Sequence, residues 1–322
     1  MDGVLIIDKP AGMTSHDVVA RVRKIIREKR VGHTGTLDPF ATGVLVVLVG
    51  RATRLAQFLS GAEKEYEAVI RLGYATDTGD VTGTRVLSEP PAVAGGPHAK
   101  AQSPQSLNEE TIEAALACLR GEIEQTPPMY SAKKIAGKKL YEHARRGEVV
   151  ERTAVRVIIS QFEALPIDDS LTKSNEDGTG DLAVRVVCSA GTYVRTLAES
   201  VGEQLGVGAH LSELRRTRAG RFKIADAITL DRLSDLAQTG SIEQVLISAD
   251  AALAHLPFVD LDAESAGRVR RGIDIATEDA SAADWAEGQP VRMRDANGEL
   301  VGVGVYDETR KLMHPKVVIA TE

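Results

Sequence analysis

The segment from Gly32 to Pro39 concentrates residue types that can do chemistry: a histidine, an aspartate and two glycines. Glycine permits the tight backbone that such a loop needs, and Pro39 restricts the chain directly after Asp38. The carboxylate of Asp38 is therefore held rigidly, and with an ordinary pKa of about 4 it is ionised at neutral pH. From the local sequence alone, Asp38 is either a catalytic group or a turn residue before proline, and His33 is either functional or an ordinary surface histidine.

The elements on either side of this segment follow from hydrophobic spacing. Val4 to Ile7 is a short apolar strand that ends in a turn at Pro10 to Gly12. A helix follows, with Thr14 or Ser15 as its N-cap and apolar residues at helical intervals after it. The apolar run Gly43 to Val49 is a buried strand or the start of a helix. The loop between these elements is the first place to look for chemistry.

The rest of the chain carries further strand and helix patterns. Alternating apolar residues predict strands at Tyr66 to Leu72 and Leu182 to Cys188. Helical spacing predicts helices at Glu109 to Leu119 and Tyr193 to Leu205. Short strands around an Asn297-Gly298 hairpin turn predict a small, separate β-rich domain near the C-terminus.

Composition excludes several classes of protein. Of the 322 residues, 43% are hydrophobic and 26% are charged, which favours a globular protein of two domains over collagenous, coiled-coil or disordered chains. The longest apolar run, Val44 to Val49, is far shorter than a membrane span, and the N-terminus lacks the basic start of a signal peptide. We therefore expect a cytoplasmic protein. Cys118 and Cys188 form no CxxC motif and have no histidine cluster beside them, which predicts neither a disulfide framework nor a zinc site.

Charge is unevenly distributed along the chain. The 39 basic and 46 acidic residues give a net charge of −7, which taken alone argues against a nucleic-acid partner. Residues 1–60 carry a net +4 and residues 130–160 a net +5, whereas residues 225–290 carry a net −9. The chain can therefore present a basic face to RNA while it stays acidic overall. The alternative is that these charged segments are ordinary solvent-exposed faces of mixed sign that bind no RNA.

Six ordered blocks between residues 9 and 222 closely resemble the bacterial TruB-type tRNA pseudouridine-55 synthases. Between blocks, the segments near residues 89–107 and 168–181 are rich in small or polar residues, and we expect flexible insertions there. The blocks are KPAGMTS at 9–15, GHTGTLDPFATGVL at 32–45, KEYEAVIRLGYATDTGD at 64–80, QTPPMYSAKKIAGKKLYEHARRG at 125–147, CSAGTYVRTLAESVG at 188–202 and GAHLSELRRTRAGRF at 208–222.

The resemblance implies an α/β (α+β) pseudouridine synthase fold, in which a mixed, mainly antiparallel sheet is flanked by helices. It places a catalytic domain at residues 1–250 and a small PUA-like β domain at residues 256–322, although acidic residues in the approach to that domain argue against tight phosphate binding there. The implied reaction isomerises uridine 55 in the T-loop of tRNA: the base is detached at N1, turned and rejoined through C5. Nothing is oxidised, reduced, gained or lost, so no cofactor and no metal ion is expected.

The resemblance also implies catalytic roles for three residues. Asp38 matches the essential aspartate of the family, and Arg195 matches an arginine that keeps this carboxylate charged and aimed. Tyr66 matches an active-site tyrosine that is expected to stack on the uracil and to assist proton removal from C5. Three routes stay open: Asp38 adds to C6 of the uracil, attacks C1′ of the ribose or abstracts a sugar proton. Without the resemblance, Arg195 is a surface helix residue and Tyr66 belongs to the core.

Further residues are implied in substrate binding. Tyr193 and Leu214 match positions in the pocket, with ordinary packing as the alternative. Uridine 55 lies inside a folded arm of tRNA, so the base must be extruded, and His33 matches the residue that inserts into the loop. Lys9, which also matches a position in the pocket wall, and Lys134 with the lysines around it are expected to contact phosphates.

Three other functions compete with this interpretation. A tRNA-binding or tRNA-folding protein would extrude the base without chemistry, although intact Asp38, Tyr66 and Arg195 argue against a purely binding role. A pseudouridine synthase directed at another RNA is the second, and only substrate profiling separates it. A hydrolase that uses Asp38 is the third and the most distant alternative. A hydrolase would need a second carboxylate or a histidine, and the motif pairs neither evidently with Asp38. The expected partner is the T-arm of tRNA, without a membrane, and the length permits a monomer.

Overall fold

Two β-sheets and the helices around them form the framework of the chain in a computed structural model. In the described part of the chain, the larger sheet has ten strands and the smaller one has five. Most of the insertion predicted near residues 89–107 lies outside the described residues. The structure describes residues 1–86, 104, 107–131, 133–135, 137–144, 146–148, 150–168, 170–276 and 285–319.

Capping residues set the ends of the principal helices. In chain order, the described helices are α1 (Ser15–Ile26), α2 (Ala56–Leu59), α3 (Glu109–Ala117), α4 (Leu140–Ala144), α5 (Val194–Leu205), α6 (Leu230–Gln238), α7 (Ala249–Ala252) and α8 (Ala263–Arg270). Thr14 is the N-cap of α1: its hydroxyl accepts a hydrogen bond from the backbone N–H of Asp17, whose carboxylate accepts one from the backbone N–H of Thr14. Gly206 ends α5 at a φ of 66°, which glycine adopts without strain. The predicted helices at α1, α3 and α5 are confirmed, and no helix of the described residues is long and apolar enough to span a membrane.

Strand order confirms the mixed, mainly antiparallel sheet. The strands are β1 (Gly3–Lys9), β2 (Val31–Thr34), β3 (Thr42–Val49), β4 (Lys64–Leu72), β5 (Ala75–Thr76), β6 (Arg85–Val86), β7 (Gly121–Gln125), β8 (Lys134–Ile135), β9 (Lys138–Lys139), β10 (Val155–Leu165), β11 (Thr172–Ser174), β12 (Gly180–Cys188), β13 (Ala209–Ala219), β14 (Phe222–Lys223), β15 (Phe258–Asp260), β16 (Ile275–Ala276), β17 (Pro290–Arg294), β18 (Leu300–Asp307) and β19 (Leu312–Val318). The large sheet runs β1-β3-β13-β4-β12-β10-β7, with β2, β11 and β14 beside β3, β12 and β13. Its β3–β13 pair is parallel, and the other pairs named for it are antiparallel. The run Gly43 to Val49, which the sequence left open between strand and helix, is therefore a strand.

The segment near residues 168–181, predicted as a flexible insertion, contains a short hairpin, and its flexibility stays a prediction. β11 pairs with the first residues of β12, so the segment folds back on the sheet as a hairpin. Its turn is closed by a hydrogen bond of 2.9 Å from the backbone N–H of Asn175 to the oxygen of Thr179, and Asp177 accepts a hydrogen bond of 3.0 Å from the N–H of Thr179. Asn and Asp favour such turns because their side chains bond the backbone nearby.

The small C-terminal sheet packs against the large one. Its order is β15-β17-β18-β19-β16, and the predicted turn at Asn297-Gly298 joins β17 to β18. Apolar residues of β18, β19 and the residue after β19 are buried in one core cluster with Val4 and Ile6 of β1. The C-terminal β domain is confirmed, whereas its likeness to PUA domains stays a prediction. The residues it contributes to this cluster are Leu300, Val303, Val317 and Ile319.

Gly43 permits a close approach between β3 and β13. It pairs with Arg216 at a φ of 100°, and a Cβ added there would overlap the backbone oxygen of Arg216. We expect Gly43→Ala to lower the free energy of unfolding by about 2 kcal/mol or more, because this overlap adds to the backbone strain. Chemical denaturation measures the loss. Gly240→Ala is the control, since Gly240 has a φ of 70° with open space around it; equal losses in the two variants would contradict the role of the overlap.

Candidate active site

One cavity of about 300 Å³ collects most of the residues predicted for the site. It lies between the loop after β2, the strands β4 and β13, and the start of α5. All three predicted catalytic residues and two of the predicted substrate-binding residues line it. These five are Asp38, Tyr66, Arg195, Tyr193 and Leu214.

The loop that carries Asp38 is fastened to the start of α1. The hydroxyl of Ser15 donates to the backbone oxygen of Leu37 at 3.2 Å and accepts from the N–H of Leu37 at 2.9 Å. The N–H of Gly12 donates to the oxygen of Pro39 at 2.8 Å. These bonds hold the backbone on both sides of Asp38, which is the rigid setting that the sequence predicted.

Lys9 contacts this loop and is fully buried, which argues against the expected phosphate contact; that contact stays a prediction. Its ammonium donates to the backbone oxygens of Pro10, Pro39 and Ala41, the last at 2.6 Å. Burial lowers the pKa of Lys9 to about 8. The sequence could not reveal this, because lysine is usually exposed and only the fold surrounds the ammonium with carbonyls. Lys9 therefore positions the chain after Asp38.

We expect Lys9→Met to lower the melting temperature and leave the salt dependence of RNA binding unchanged. The substitution leaves buried carbonyls without a donor, which costs stability, but it removes no phosphate contact. The measurements are thermal unfolding and the slope of log K against log salt concentration. Lys133→Met is the control: if the basic segment binds phosphates, its slope falls by about one. A similar fall for Lys9→Met would contradict the buried, positioning role.

Arg195 and two carboxylates form a buried ion-pair network. The guanidinium binds Asp38 through two nitrogens, with Nε 2.9 Å from Oδ2 and Nη2 3.3 Å from Oδ1. On its other side, Nη1 lies 3.8 Å from Oδ2 of Asp80. The side chain of Arg195 is 4% exposed, whereas that of Asp38 is 33% exposed and faces the cavity. The network therefore aims the Asp38 carboxylate at whatever enters the cavity.

Burial and charge act in opposite directions on the pKa of Asp38. Burial raises the pKa, Arg195 lowers it and the neighbouring Asp80 raises it, with a net increase above the ordinary aspartate value. A carboxylate with a raised pKa is a stronger base than a free aspartate once it is ionised. Asp80 was missed as a site residue by sequence reasoning, although it closes the block KEYEAVIRLGYATDTGD.

Tyr66 lies on the opposite wall, beside a second arginine that the sequence did not single out. Tyr66 on β4 pairs with Arg216 on β13 and hydrogen-bonds its guanidinium. Arg216 also donates to the backbone oxygens of Val44 at 2.7 Å and Gly35 at 2.9 Å. Burial raises the pKa of Tyr66, so its phenol is neutral at physiological pH.

The two remaining predicted substrate-binding residues are His33 and Lys134. His33 on β2 does not line the cavity; its ring contacts that of His16, and burial lowers the pKa of His33 to about 4. Its Nδ1 is buried without a hydrogen-bond partner among the described residues. Lys134 belongs to the two-stranded hairpin of β8 and β9. The RNA contacts of His33 and Lys134 stay predictions.

Comparison with known proteins agrees with the architecture and with the blocks around the cavity. Residues 23–194 match the TruB family pseudouridylate synthase N-terminal domain, and residues 195–254 match the tRNA pseudouridylate synthase B C-terminal domain. The chain belongs to the TruB family. The TruB family models meet at residue 194, inside the large sheet domain, and the predicted boundary near residue 250 stays a prediction.

Relatives and solved structures extend this similarity to most of the chain. The chain is 46% identical over 272 residues to tRNA pseudouridine synthase B of Geobacillus thermodenitrificans, covering 84% of this chain and 85% of the relative. It is 44% identical over 278 residues to the protein of the same name from Bacillus cytotoxicus, covering 86% and 85%. A chain in the structure of an H/ACA RNP bound to a substrate RNA containing 2′-deoxyuridine is 28% identical, with a TM-score of 0.71 over 99% of this chain and 85% of that one.

Proposed function

We propose that this chain isomerises uridine 55 in the T-loop of tRNA to pseudouridine, with Asp38 as the essential carboxylate. The observation that carries the proposal is the two-point ion pair between Asp38 and the buried Arg195 at a cavity that Tyr66 also lines. Arg195 opposes the effect of burial on the pKa of Asp38 and aims the carboxylate into the cavity, which suits a base extruded from the tRNA. The similarity to proteins named tRNA pseudouridine synthase B supports tRNA as the substrate.

The groups in the cavity suit an isomerisation. The C1′–N1 bond breaks, a C1′–C5 bond forms, the proton on C5 leaves and N1 gains one, so atoms and electrons balance without a further reactant. Asp38 and Tyr66 line the same cavity, so a nucleotide bound there would meet the carboxylate and the phenol together. Addition to C6, attack on C1′ and removal of a sugar proton stay open as routes. The expectation that no metal ion or cofactor takes part stays a prediction.

Tritium release from tRNA transcript labelled at C5 of uridine tests the proposal, because C5 loses its hydrogen when the new bond forms. We expect release from wild-type protein without added metal or cofactor. A transcript with cytidine at position 55 should release no tritium, and a T-arm stem-loop alone should remain a substrate. Release from other RNAs instead would identify a synthase with another target. Binding of tRNA without release would favour a folding or binding protein.

A monomeric enzyme acting in the cytoplasm is the simplest form of this proposal. Asp38, Tyr66 and Arg195 line one cavity within one chain, so one copy supplies all three proposed catalytic residues. Light scattering of the protein with and without tRNA tests the monomer.

A further inference from the structure

Two buried cations line the same cavity as the Asp38–Arg195 pair. Lys64 is 7% exposed and Arg216 is 1% exposed, and both line the cavity. Among the described residues, Lys64 donates to the backbone oxygens of Ser60 and Ala62, at 2.7 and 2.5 Å. Arg216 donates to the oxygens of Val44 and Gly35 and to the hydroxyl of Tyr66. Every acceptor is formally neutral.

Neither cation has a carboxylate partner within the described ranges of the chain. Glu63 and Glu65 are neighbours of Lys64 in sequence, but both are paired with Arg218. Arg195, in contrast, is matched by Asp38 and Asp80. A buried charge without a counter-charge is costly, and burial already lowers the pKa of Lys64 to about 8. Two adjacent buried cations without a carboxylate partner therefore favour the binding of an anion beside them.

We propose that Lys64 and Arg216 bind the negative charge that develops on the uracil ring during the reaction. The proposal rests on the proposed function and names two residues of that same site. The two cations are adjacent: a Cβ added at Gly35 would lie 3.3 Å from Nη1 of Arg216 and 3.7 Å from Cε of Lys64. Lys64 uses two of its three N–H donors and Arg216 also retains free donors among its five, so both can bind a further oxygen.

All three routes for the reaction place negative charge on the ring. When the C1′–N1 bond breaks by attack of Asp38 on C1′ or after loss of a sugar proton, its electron pair leaves with the base, and the charge spreads over N1, O2, O4 and C5. When Asp38 adds to C6, the C5–C6 electron pair moves toward O4. The charge returns to neutral when C5 bonds C1′. Fixed cations that meet this transient charge lower the barrier without a need for stronger binding of the ground state.

Position within the cavity favours the ring over a backbone phosphate as the anion. The side chain of Asp38, the group that meets the sugar or C6, is 33% exposed, whereas Lys64 and Arg216 are almost fully buried. Since the ribose stays attached to the RNA chain, the phosphates remain nearer the entrance than the base. The base is the part of the nucleotide that extends to the buried wall.

Single-turnover kinetics and tRNA affinity of Lys64→Met test the inference. Methionine fills the space of the lysine stem without its charge, so the fold is expected to persist, which circular dichroism and thermal unfolding check. We expect the rate of pseudouridine formation to fall about 100-fold, as for loss of one oxyanion donor, while Kd for tRNA and its salt slope stay within twofold. Lys173→Met, which removes an exposed lysine from β11, is the matched control and should change neither quantity. Loss of affinity with a salt slope reduced by about one would mean a phosphate contact and overturn the proposal.

RNA with 5-fluorouridine at the target position separates charge stabilisation from a structural defect. Fluorine withdraws electrons and stabilises an anionic ring, so the penalty of Lys64→Met should shrink about tenfold on this substrate, followed as disappearance of 5-fluorouridine after digestion. An equal penalty on both substrates would mean that Lys64 acts only on structure and would overturn the proposal. A wild-type protein without activity on either RNA would instead refute the proposed function.

Discussion

Asp38→Asn is expected to abolish pseudouridine formation, with a loss on the order of 1,000-fold or more, while Kd for tRNA changes by no more than a few-fold. The amide keeps the size of the side chain and one hydrogen-bond acceptor for Arg195, but it can neither accept a proton as a base nor act as an effective nucleophile. Because Asp38 is fixed by backbone bonds at Leu37 and Pro39, the loop should keep its shape. Tritium release under single-turnover conditions and filter binding measure the two quantities.

The matched control for this substitution is Asp235→Asn, which neutralises an exposed aspartate on α6, outside the residues that line the cavity. It should leave rate and affinity unchanged. Turnover by Asp38→Asn within tenfold of wild type would remove Asp38 from the centre of the reaction. A large loss of tRNA affinity would show that Asp38 serves binding instead.

Arg195→Met is expected to lower the rate about 100-fold and to shift its dependence on pH. Arg195 opposes the effects of burial and of Asp80 on the pKa of Asp38, so its removal raises that pKa further. The reactive form is the ionised one. Activity is therefore lost as pH falls through the pKa of Asp38, and the variant should lose it at higher pH than wild type and recover rate as pH rises. A pH–rate profile of both proteins measures the shift.

Two companion variants separate charge from geometry at Arg195. Arg195→Lys keeps the positive charge but cannot bind Asp38 through two nitrogens. We therefore expect activity to be lost at the same pH as in wild type, with a lower rate at all pH values. Arg195→Met combined with Asp80→Asn removes one of the two carboxylates left unpaired and should recover part of the thermal stability that the single variant loses. An unchanged pH limb in Arg195→Met would contradict the electrostatic role.

The sequence blocks predicted that Asp38, Tyr66 and Arg195 share one site, and all three line the cavity. Asp38, Tyr66 and Arg195 come from three separate blocks, and the fold brings them together because β4 and α5 both flank the loop after β2. Helix ends were also predictable, since Thr14 and Gly206 have local capping signals. These features could be predicted because they depend on short stretches of chain or on motifs that occur together in one family.

Other parts of the site depend on contacts that no local pattern reveals. Lysine and arginine usually lie at the surface, so the sequence does not predict that Lys9, Lys64 and Arg216 are buried. Only the pairing of distant strands buries them. The parallel β3–β13 contact joins segments about 170 positions apart, which places Arg216 beside Gly35 and Tyr66. The sequence also did not predict the hairpin at β11, because this strand is only three residues long and too short to show alternating apolar and polar residues.

The shared core between the C-terminal sheet and β1 makes the small domain a structural part of the catalytic one rather than a tethered accessory. Leu300 and Val303 are buried in the cluster that includes Val4 and Ile6 of β1, and β1 ends at Lys9, whose ammonium holds the chain after Asp38. Truncation before β15 would leave that apolar face open to water. The two units therefore share one core, and exchange of the C-terminal sheet between relatives should succeed only when the matching face of β1 is exchanged with it.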